Sequence, residues 1–172
     1  MPIHEPHSFE TRLEKFDSNL WGFHIVVPLA VAEVFLAANT KRVICTLQGT
    51  ETFQCALMPR GDGAWFININ KKRRDALKLQ IGSLLTASIV SDQSTYGLPM
   101  PEELEAVLAS DEAGNRLFHA LTPGKQRNIL YYVGAVKDSD KRIHRALVFI
   151  DHLKANQGKI NFKTLVEAFK AH

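Results

Sequence analysis

Basic side chains are the residues in this sequence whose type and spacing best suit a binding site. Four cations follow one another over residues 71–74, and Lys71 and Arg74 are three positions apart, so they share a face if this stretch is helical. Backbone N–H groups at a helix start, together with such side chains, hold phosphate or other anions. The competing interpretation, which we favour, is a solvated basic turn partly neutralised by Asp75.

A second basic group lies in the C-terminal half. Lys137 precedes Arg142 and Arg145, and the two arginines are three positions apart and so neighbours on one helix. They are predicted either to bind an acidic partner or to form ion pairs with carboxylates of nearby helices. We favour the ion pairs, because exposed clusters near acidic helices usually pair locally. The candidate carboxylates are Glu102, Glu105 and Asp111.

The remaining polar residues give no complete site. His4 and His7 have no third ligand close in the sequence, so we expect no metal and no cofactor. Asp140 and His144 are four apart and could form a base and its orienting group. No Ser or Cys nucleophile is placed beside them, which argues against catalysis.

The two cysteines fall in a predicted hairpin. Apolar residues alternate at positions 43, 45 and 47 of one strand and at 53, 55 and 57 of the next. Pairing 43 with 57, 45 with 55 and 47 with 53 brings all six to one face. The same reasoning across the following loop, Pro59–Gly63, pairs 57 with 65 and 55 with 67. Cys45 and Cys55 are therefore predicted to be buried, reduced neighbours.

Composition limits the classes of protein to consider. The 172 residues are 45% apolar and 23% charged, as in a folded globular protein. Lys and Arg exceed Asp and Glu by 10 to 9 up to Gly97 and by 11 to 9 beyond it. Neither part has the basic excess of a nucleic-acid domain, so we expect no nucleic-acid partner. Two cysteines, no signal-type segment and no long apolar run predict a cytoplasmic protein without membrane insertion.

Apolar patterns predict an α+β protein of two domains. A turn at residues 17–19 separates strands over 9–13 and 21–27, and strand, short helix and strand then recur at an offset of 42 residues. Ile25, Val27, Phe35, Val43, Cys45 and Leu47 match Ile67, Ile69, Leu77, Leu85, Ala87 and Ile89. This repeat predicts a small closed β-barrel of about six strands over residues 8–96, pseudo-twofold, with two short helices. A hinge over Ser91 to Pro101 leads to an all-helical bundle over residues 98–172, and residues 1–7 are expected to be a loose end.

The first of these regions resembles domain-of-unknown-function family 1905, a small β-barrel. The shared features are Gly61 and Gly63 in a turn, Lys71 and Arg74 at a helix start, Gly82 at a corner, and Pro28. Ser83 departs from the family pattern, which has an acidic residue after the corner glycine.

From Leu98 onward the chain resembles the bacteriocin-protection, YdeI or OmpD-associated family. The pattern is carried by Pro101, Phe118, Leu121, Lys137, Arg142 and Arg145, with departures at Val136 and Lys141. The two resemblances imply a bacterial protein with a link to envelope stress and bacteriocin resistance, and no established reaction.

Three functional hypotheses follow. The first is a non-enzymatic binding or stress-protection protein that meets an acidic protein or a small anionic ligand through Lys71, Arg74, Lys137, Arg142 and Arg145. The second is binding of nucleic acid or phosphate by the turn over residues 71–74. The third is an enzyme with a pocket at the junction of barrel and helices. The sequence does not determine the oligomeric state.

Overall fold

A computed structural model describes residues 1–17 and 22–171. The chain divides into two compact units, Met1–Gly97 and Leu98–His172. Among the described residues, strands and two short helices form the first unit, here called the sheet unit, and five helices form the second, the helical unit. The predicted turn at 17–19 and the predicted strand start at Trp21 lie largely outside the described residues.

The sheet unit is one antiparallel sheet with two helical connections. Its strands run in the spatial order β4-β3-β7-β1-β2-β6-β5. In chain order the elements are β1 (His7–Lys15), β2 (Phe23–Val27), α1 (Leu29–Ala37), β3 (Arg42–Leu47), β4 (Glu51–Ala56), β5 (Met58–Pro59), β6 (Trp65–Asn68), α2 (Lys71–Ala76) and β7 (Leu84–Ser91).

The predicted closed barrel of six strands is wrong. The sheet has seven strands and forms a half-barrel, with β4 and β5 at its two edges. The additional strand arises because the segment predicted as one strand changes partner at Leu57. The Leu57 N–H still bonds the Lys41 carbonyl on the β3 side at 2.7 Å, whereas Met58 pairs with Phe66 of β6.

The repeat of 42 residues is visible in the strand pairing. Ile25 of β2 lies opposite Ile67 of β6, its own counterpart in the repeat. Between β3 and β7, position 45 lies opposite 89 and position 47 opposite 87. A shift by 42 residues converts these last two pairs into each other. Both strand pairs therefore obey one pseudo-twofold relation, and their inward side chains form a single buried core.

The predicted hairpin register is wrong by two residues. Cys45 lies opposite Phe53 and Val43 opposite Cys55. A slip of two keeps every side chain on its face, so alternation does not distinguish the two registers. The turn decides, because Gln48 and Gly49 adopt φ of 51° and 70° and close the hairpin tightly. The next pairing is shifted likewise, with position 58 opposite 66 in place of 57 opposite 65.

The two cysteines do lie on adjacent antiparallel strands. Both are free, Cys45 buried and Cys55 half-buried. The contact of the Cys55 thiol with Cys45, together with burial, raises the pKa of Cys55 well above its ordinary value. A thiol with a raised pKa is a poor nucleophile, so the pair behaves as part of the core.

The helical unit consists of α3 (Glu102–Ser110), α4 (Glu112–His119), α5 (Pro123–Gly134), α6 (Ser139–Ala155) and α7 (Phe162–Lys170). Side chains at four of the helix starts accept N–H bonds from three residues further on, as N-caps do. They are Asp111, Thr122, Asp138 and Asn161. Pro101 stands just before α3.

The longest helix, α6, packs against each of the other four helices of this unit. At its contact with α4, a Cβ atom built on Gly114 would lie 2.3 Å from Cγ2 of Ile150. Real Cβ atoms do not approach other atoms this closely, so a glycine is required where the two helices touch.

The N-terminal residues are not loose, contrary to the prediction. The Ile3 N–H donates to Ser91 Oγ at 2.8 Å, and the Ser91 N–H donates to the Ile3 carbonyl at 2.9 Å. Among the helices that the structure describes, none combines the length and apolar character needed to cross a bilayer.

Candidate functional site

The basic run at α2 makes contacts within the protein. Lys71 Nζ lies 2.7 Å from Asp75 Oδ2, and the Lys71 side chain is 80% exposed. Arg74 donates to the Ile69 carbonyl at 2.8 Å and its guanidinium lies 3.8 Å above the Phe23 ring. Lys71 and Arg74 thus face different partners. The helix has only six residues, which limits its dipole.

The two arginines of α6 cap the end of α5. Arg142 Nε donates to the Val136 carbonyl at 2.6 Å. Arg145 donates to the Tyr132 carbonyl at 2.7 Å and its guanidinium stacks 4.1 Å from that residue's ring. Helix ends leave carbonyls without intrahelical partners and carry partial negative charge, so cations there are favourable. These contacts account for both arginines structurally.

The predicted ion pairing occurs in part. Arg142 lies 3.6 Å from Glu103, a carboxylate that the sequence did not single out. Asp111, one of the predicted partners, instead pairs with Lys154 at 2.5 Å. Lys137 is exposed on the connection between α5 and α6. Binding of an acidic partner or an anion by the two basic groups stays a prediction.

The histidines considered for metal or acid–base chemistry lie apart. His4 contacts the Gln93 amide at 3.1 Å, and the His7 ring packs edge-on against Phe35. His144 is half-buried on α6, one turn after the exposed Asp140. Over residues 1–17 and 22–171, no three His, Cys, Asp or Glu side chains gather as metal ligands would.

A polar cavity in the sheet unit has more of the character of a site. It has a volume of about 530 Å³ and opens to solvent beside β1, the start of β2 and the turn after β5. We call it the His24 pocket. Its described lining residues are Glu14, Lys15, Phe16, Asp17, His24, Arg60, Gly61 and Asp62.

The sheet positions His24 among aromatic rings. Glu14 lies opposite His24 in the pairing of β1 with β2, so both side chains project from the same face. The Phe16 ring stacks on the imidazole with centroids 4.0 Å apart, and the Phe66 ring meets it edge-on at 5.2 Å. His24 is consequently only 2% exposed.

Both imidazole nitrogens of His24 are buried without a hydrogen-bond partner among the described residues. Burial lowers the pKa of His24, against smaller opposing effects of the Gly22 backbone and the Glu14 carboxylate. The Gly22 carbonyl, which accepts the Phe16 N–H at 3.3 Å, lies close enough to the ring to oppose this shift, but no hydrogen bond of ordinary geometry joins it to either imidazole nitrogen. At neutral pH His24 is therefore an uncharged imidazole with one donor and one acceptor unused.

Three charged side chains form an ionic cluster beside His24. The Arg60 guanidinium bonds Asp62 through Nε and Nη2, the latter at 2.8 Å, and reaches Glu14 at 3.4 Å. The hydrogen bond to Asp62 raises the pKa of Arg60, and the same bond lowers the pKa of the Asp62 carboxyl. Arg60 therefore stays charged and its strongest donors are already used.

Sequence reasoning missed this site. Residues 60–62 were interpreted only as a turn, and His24 was not singled out inside its strand. Gly61 and Gly63 adopt φ of 95° and 88°, conformations that suit glycine, and so fold Arg60 back toward Asp62. The available signal was a histidine within an apolar strand, since a buried polar ring needs a partner.

The other buried histidine has a structural role. The Nε2 atom of His152 accepts the Asn161 N–H at 3.0 Å, immediately before α7. The Asn156 amide lies 3.2 Å from its Nδ1 atom. Although a cavity of about 390 Å³ adjoins His152, its ring nitrogens hold the connection between α6 and α7.

Comparison with known families agrees with the two resemblances. Residues 9–89 match the model of a domain of unknown function (DUF1905), and residues 98–156 match the family described as bacteriocin-protection, YdeI or OmpD-associated. No curated protein matches the chain. The predicted families and their order are confirmed. The chain is thus similar to the DUF1905 family in its first part and to the bacteriocin-protection, YdeI or OmpD-associated family in its second.

Proposed function

We propose that this protein is a cytoplasmic, non-enzymatic binding protein whose sheet unit holds a small polar ligand in the His24 pocket. The observation that carries the proposal is the burial of both His24 nitrogens without partners. A buried donor or acceptor left unpaired costs on the order of 1–3 kcal/mol, a cost that native proteins rarely carry without a use. A ligand that enters the pocket and displaces part of the aromatic cover of His24 would supply the missing bonds.

The shape of the pocket supports a small molecule. Ligand cavities generally measure roughly 300–1,000 Å³ and combine apolar walls with a few polar groups. The His24 pocket falls in this range and joins the Phe16 ring to the imidazole and the ionic cluster. A cavity of this volume with apolar and polar walls is sufficient to bind a small molecule.

Binding is better supported than catalysis. Among the described residues that line the pocket there is no Ser or Cys, and the ammonium of Lys15 lies over the Phe23 ring, so no nucleophile is paired with His24 as its base. The nearby Arg60 is held by Asp62 and Glu14, which leaves its charge compensated before any substrate arrives.

A role in bacteriocin or stress protection is part of the proposal. It derives from the family of residues 98–156, whose printed description names bacteriocin protection. The free thiols Cys45 and Cys55 support a reducing compartment such as the cytoplasm.

Phosphate binding over residues 71–74 has less support. Arg73 lies 3.9 Å above the Phe53 ring and 3.6 Å from Glu51, and Arg74 lies above Phe23. Side chains engaged in this way would have to leave their aromatic partners to meet a phosphate.

A fragment screen on the full chain tests the proposal. The ring resonances of His24 are followed by NMR while small polar compounds are added at neutral pH. We expect at least one compound to shift these resonances saturably and to raise the melting temperature, because it pairs the free nitrogens.

Two variants complete the design. His24→Phe should abolish the shift in melting temperature, and His7→Phe, the same change at another histidine of the sheet unit, should retain it. Compounds that stabilise the His24→Phe variant as much as the wild type would contradict the proposal, as would a screen in which no compound moves His24.

A further inference from the structure

We propose that the ligand of the His24 pocket is an organic cation, carried by an amine or a guanidine. This inference rests on the proposed binding function and names the chemical class of the ligand. It depends on the charge balance of the pocket, on the state of Arg60 and on the acceptors that remain.

The charge balance favours a cation. Three carboxylates, those of Glu14, Asp17 and Asp62, and two cations, Lys15 and Arg60, line the pocket. With His24 neutral, one negative charge is left over. A bound cation would complete the balance, whereas an anion would add to the excess.

Arg60 is not available for an anion. Its Nε and Nη2 atoms bond Asp62, with Nη2 at 2.8 Å, and its Nη1 atom lies 3.4 Å from Glu14. An incoming carboxylate or phosphate would have to displace these partners. Lys15 lies opposite Phe23 in the strand pairing, on the other face from Glu14 and His24, and its ammonium is directed to the Phe23 ring, 5.5 Å from the centroid.

Acceptors, by contrast, remain available for N–H groups of a ligand. The Glu14 side chain is 49% exposed and meets Arg60 only through Oε2, so its carboxylate has lone pairs to spare. The acceptor nitrogen of the neutral His24 imidazole is buried, so the exposed Glu14 carboxylate is the acceptor that an entering ligand meets first. An ammonium or guanidinium donates several N–H bonds and fits this set of acceptors.

Four probes with the same three-carbon chain test this class by NMR titration of the full chain. They are propylamine, propylguanidine, 1-propanol and propionate. We expect the first two to shift the His24 ring resonances saturably, with affinities about tenfold or more above those of the neutral and anionic probes, since charge-assisted bonds are the stronger. Propionate or propanol binding as well as the amine would overturn the inference.

A pair of variants locates the charge that matters. Glu14→Gln should weaken propylamine binding by roughly tenfold, because it replaces a charged acceptor by a neutral one. Glu10→Gln makes the same change at an exposed position of the same strand and should leave binding unaltered. Equal affinities for the two variants would show that the carboxylate of Glu14 does not hold the ligand.

Failure of the inference is separable from failure of the binding function. Should propionate or propanol move His24 while both cations do not, the pocket binds small molecules and only the ligand class is wrong. Should neither these probes nor any compound of the fragment screen move His24, both proposals fail.

One further arm distinguishes a free cation from a side chain of a partner protein. Acetyl-Gly-Lys-Gly-amide presents the same ammonium on a peptide. Binding of this peptide at least as tight as that of propylamine would support a partner's lysine, and binding of the free amine alone would support a small molecule. Either result supports an ammonium ligand.

Discussion

Replacement of His24 by Phe should stabilise the sheet unit. The imidazole is buried with two unpaired nitrogens between the rings of Phe16 and Phe66. Phenylalanine keeps a flat ring in that position and removes both polar atoms. The change therefore tests directly whether the nitrogens are unsatisfied in solution.

The magnitude follows from the cost of burying unpaired polar atoms. One unsatisfied donor or acceptor costs on the order of 1–3 kcal/mol. The larger phenyl ring takes back part of the gain, because overpacking a filled core costs a similar amount. We expect a net gain of about 1–3 kcal/mol for the His24→Phe variant. In a unit of this size, 1 kcal/mol raises the melting temperature by roughly 4–8 °C.

Tryptophan fluorescence during urea unfolding is the suitable assay. The only two tryptophans, Trp21 and Trp65, both belong to the sequence of the sheet unit, so the signal excludes the helical unit. His24→Ala is the comparator, because it removes the nitrogens and the ring together. Loss of the ring contacts should make this variant less stable than wild type by about 2–4 kcal/mol.

A less stable His24→Phe variant would refute the reasoning. That result would mean that the nitrogens have hydrogen-bond partners in the free protein. The His24 pocket would then contain no unpaired group for a ligand to satisfy.

Three further predictions concern pH, packing and the end of α5. Burial lowers the pKa of His24 and His152 below the ordinary value of 6.5, so the unfolded chain takes up protons first as the pH falls. Their contribution to stability is present above about pH 6.5 and is lost as the pH falls through the folded pKa values. Urea unfolding should therefore give a lower free energy of unfolding at pH 5.5 than at pH 7.5, and the difference should be smaller in the His24→Phe variant. Gly114→Ala should destabilise the helical unit by about 1–3 kcal/mol through overpacking against α6, as measured by thermal melts followed by circular dichroism. Gly124→Ala is the control and should show no such loss, because no atom lies within 4 Å of the added Cβ. Arg145→Lys should cost about 1–2 kcal/mol in the same melts, since an ammonium replaces neither the stacked guanidinium nor its geometry at a carbonyl, and an unchanged melt would count against the capping role.

Local features of both units were predictable because their causes lie within a few residues. Asp111, Thr122, Asp138 and Asn161 cap helices through N–H groups three positions away, so neighbouring sequence is sufficient to identify them. The 42-residue repeat was likewise visible, since the same alternation of apolar residues builds both copies.

The sequence indicated that the charged side chains of α6 have partners within the protein, but not which groups these partners are. Arg142 and Arg145 were expected to meet carboxylates. One does meet Glu103, but their shortest bonds go to the backbone carbonyls of Val136 and Tyr132. Carbonyls are present at every residue, so composition carries no sign of which ones lack a partner until the helix end has been placed.

The strand register and the site depended on the tertiary structure. Alternation of apolar residues repeats every two positions, so Cys45 faces the core equally well opposite position 53 or 55, and the conformation of Gln48 and Gly49 decides between them. The His24 pocket joins residues from β1, β2 and the turn after β5. Each looks ordinary in its own segment. The site forms because the sheet brings Arg60 beside His24 and because Phe16 covers the imidazole ring. Such distances and burial are properties of the folded chain alone.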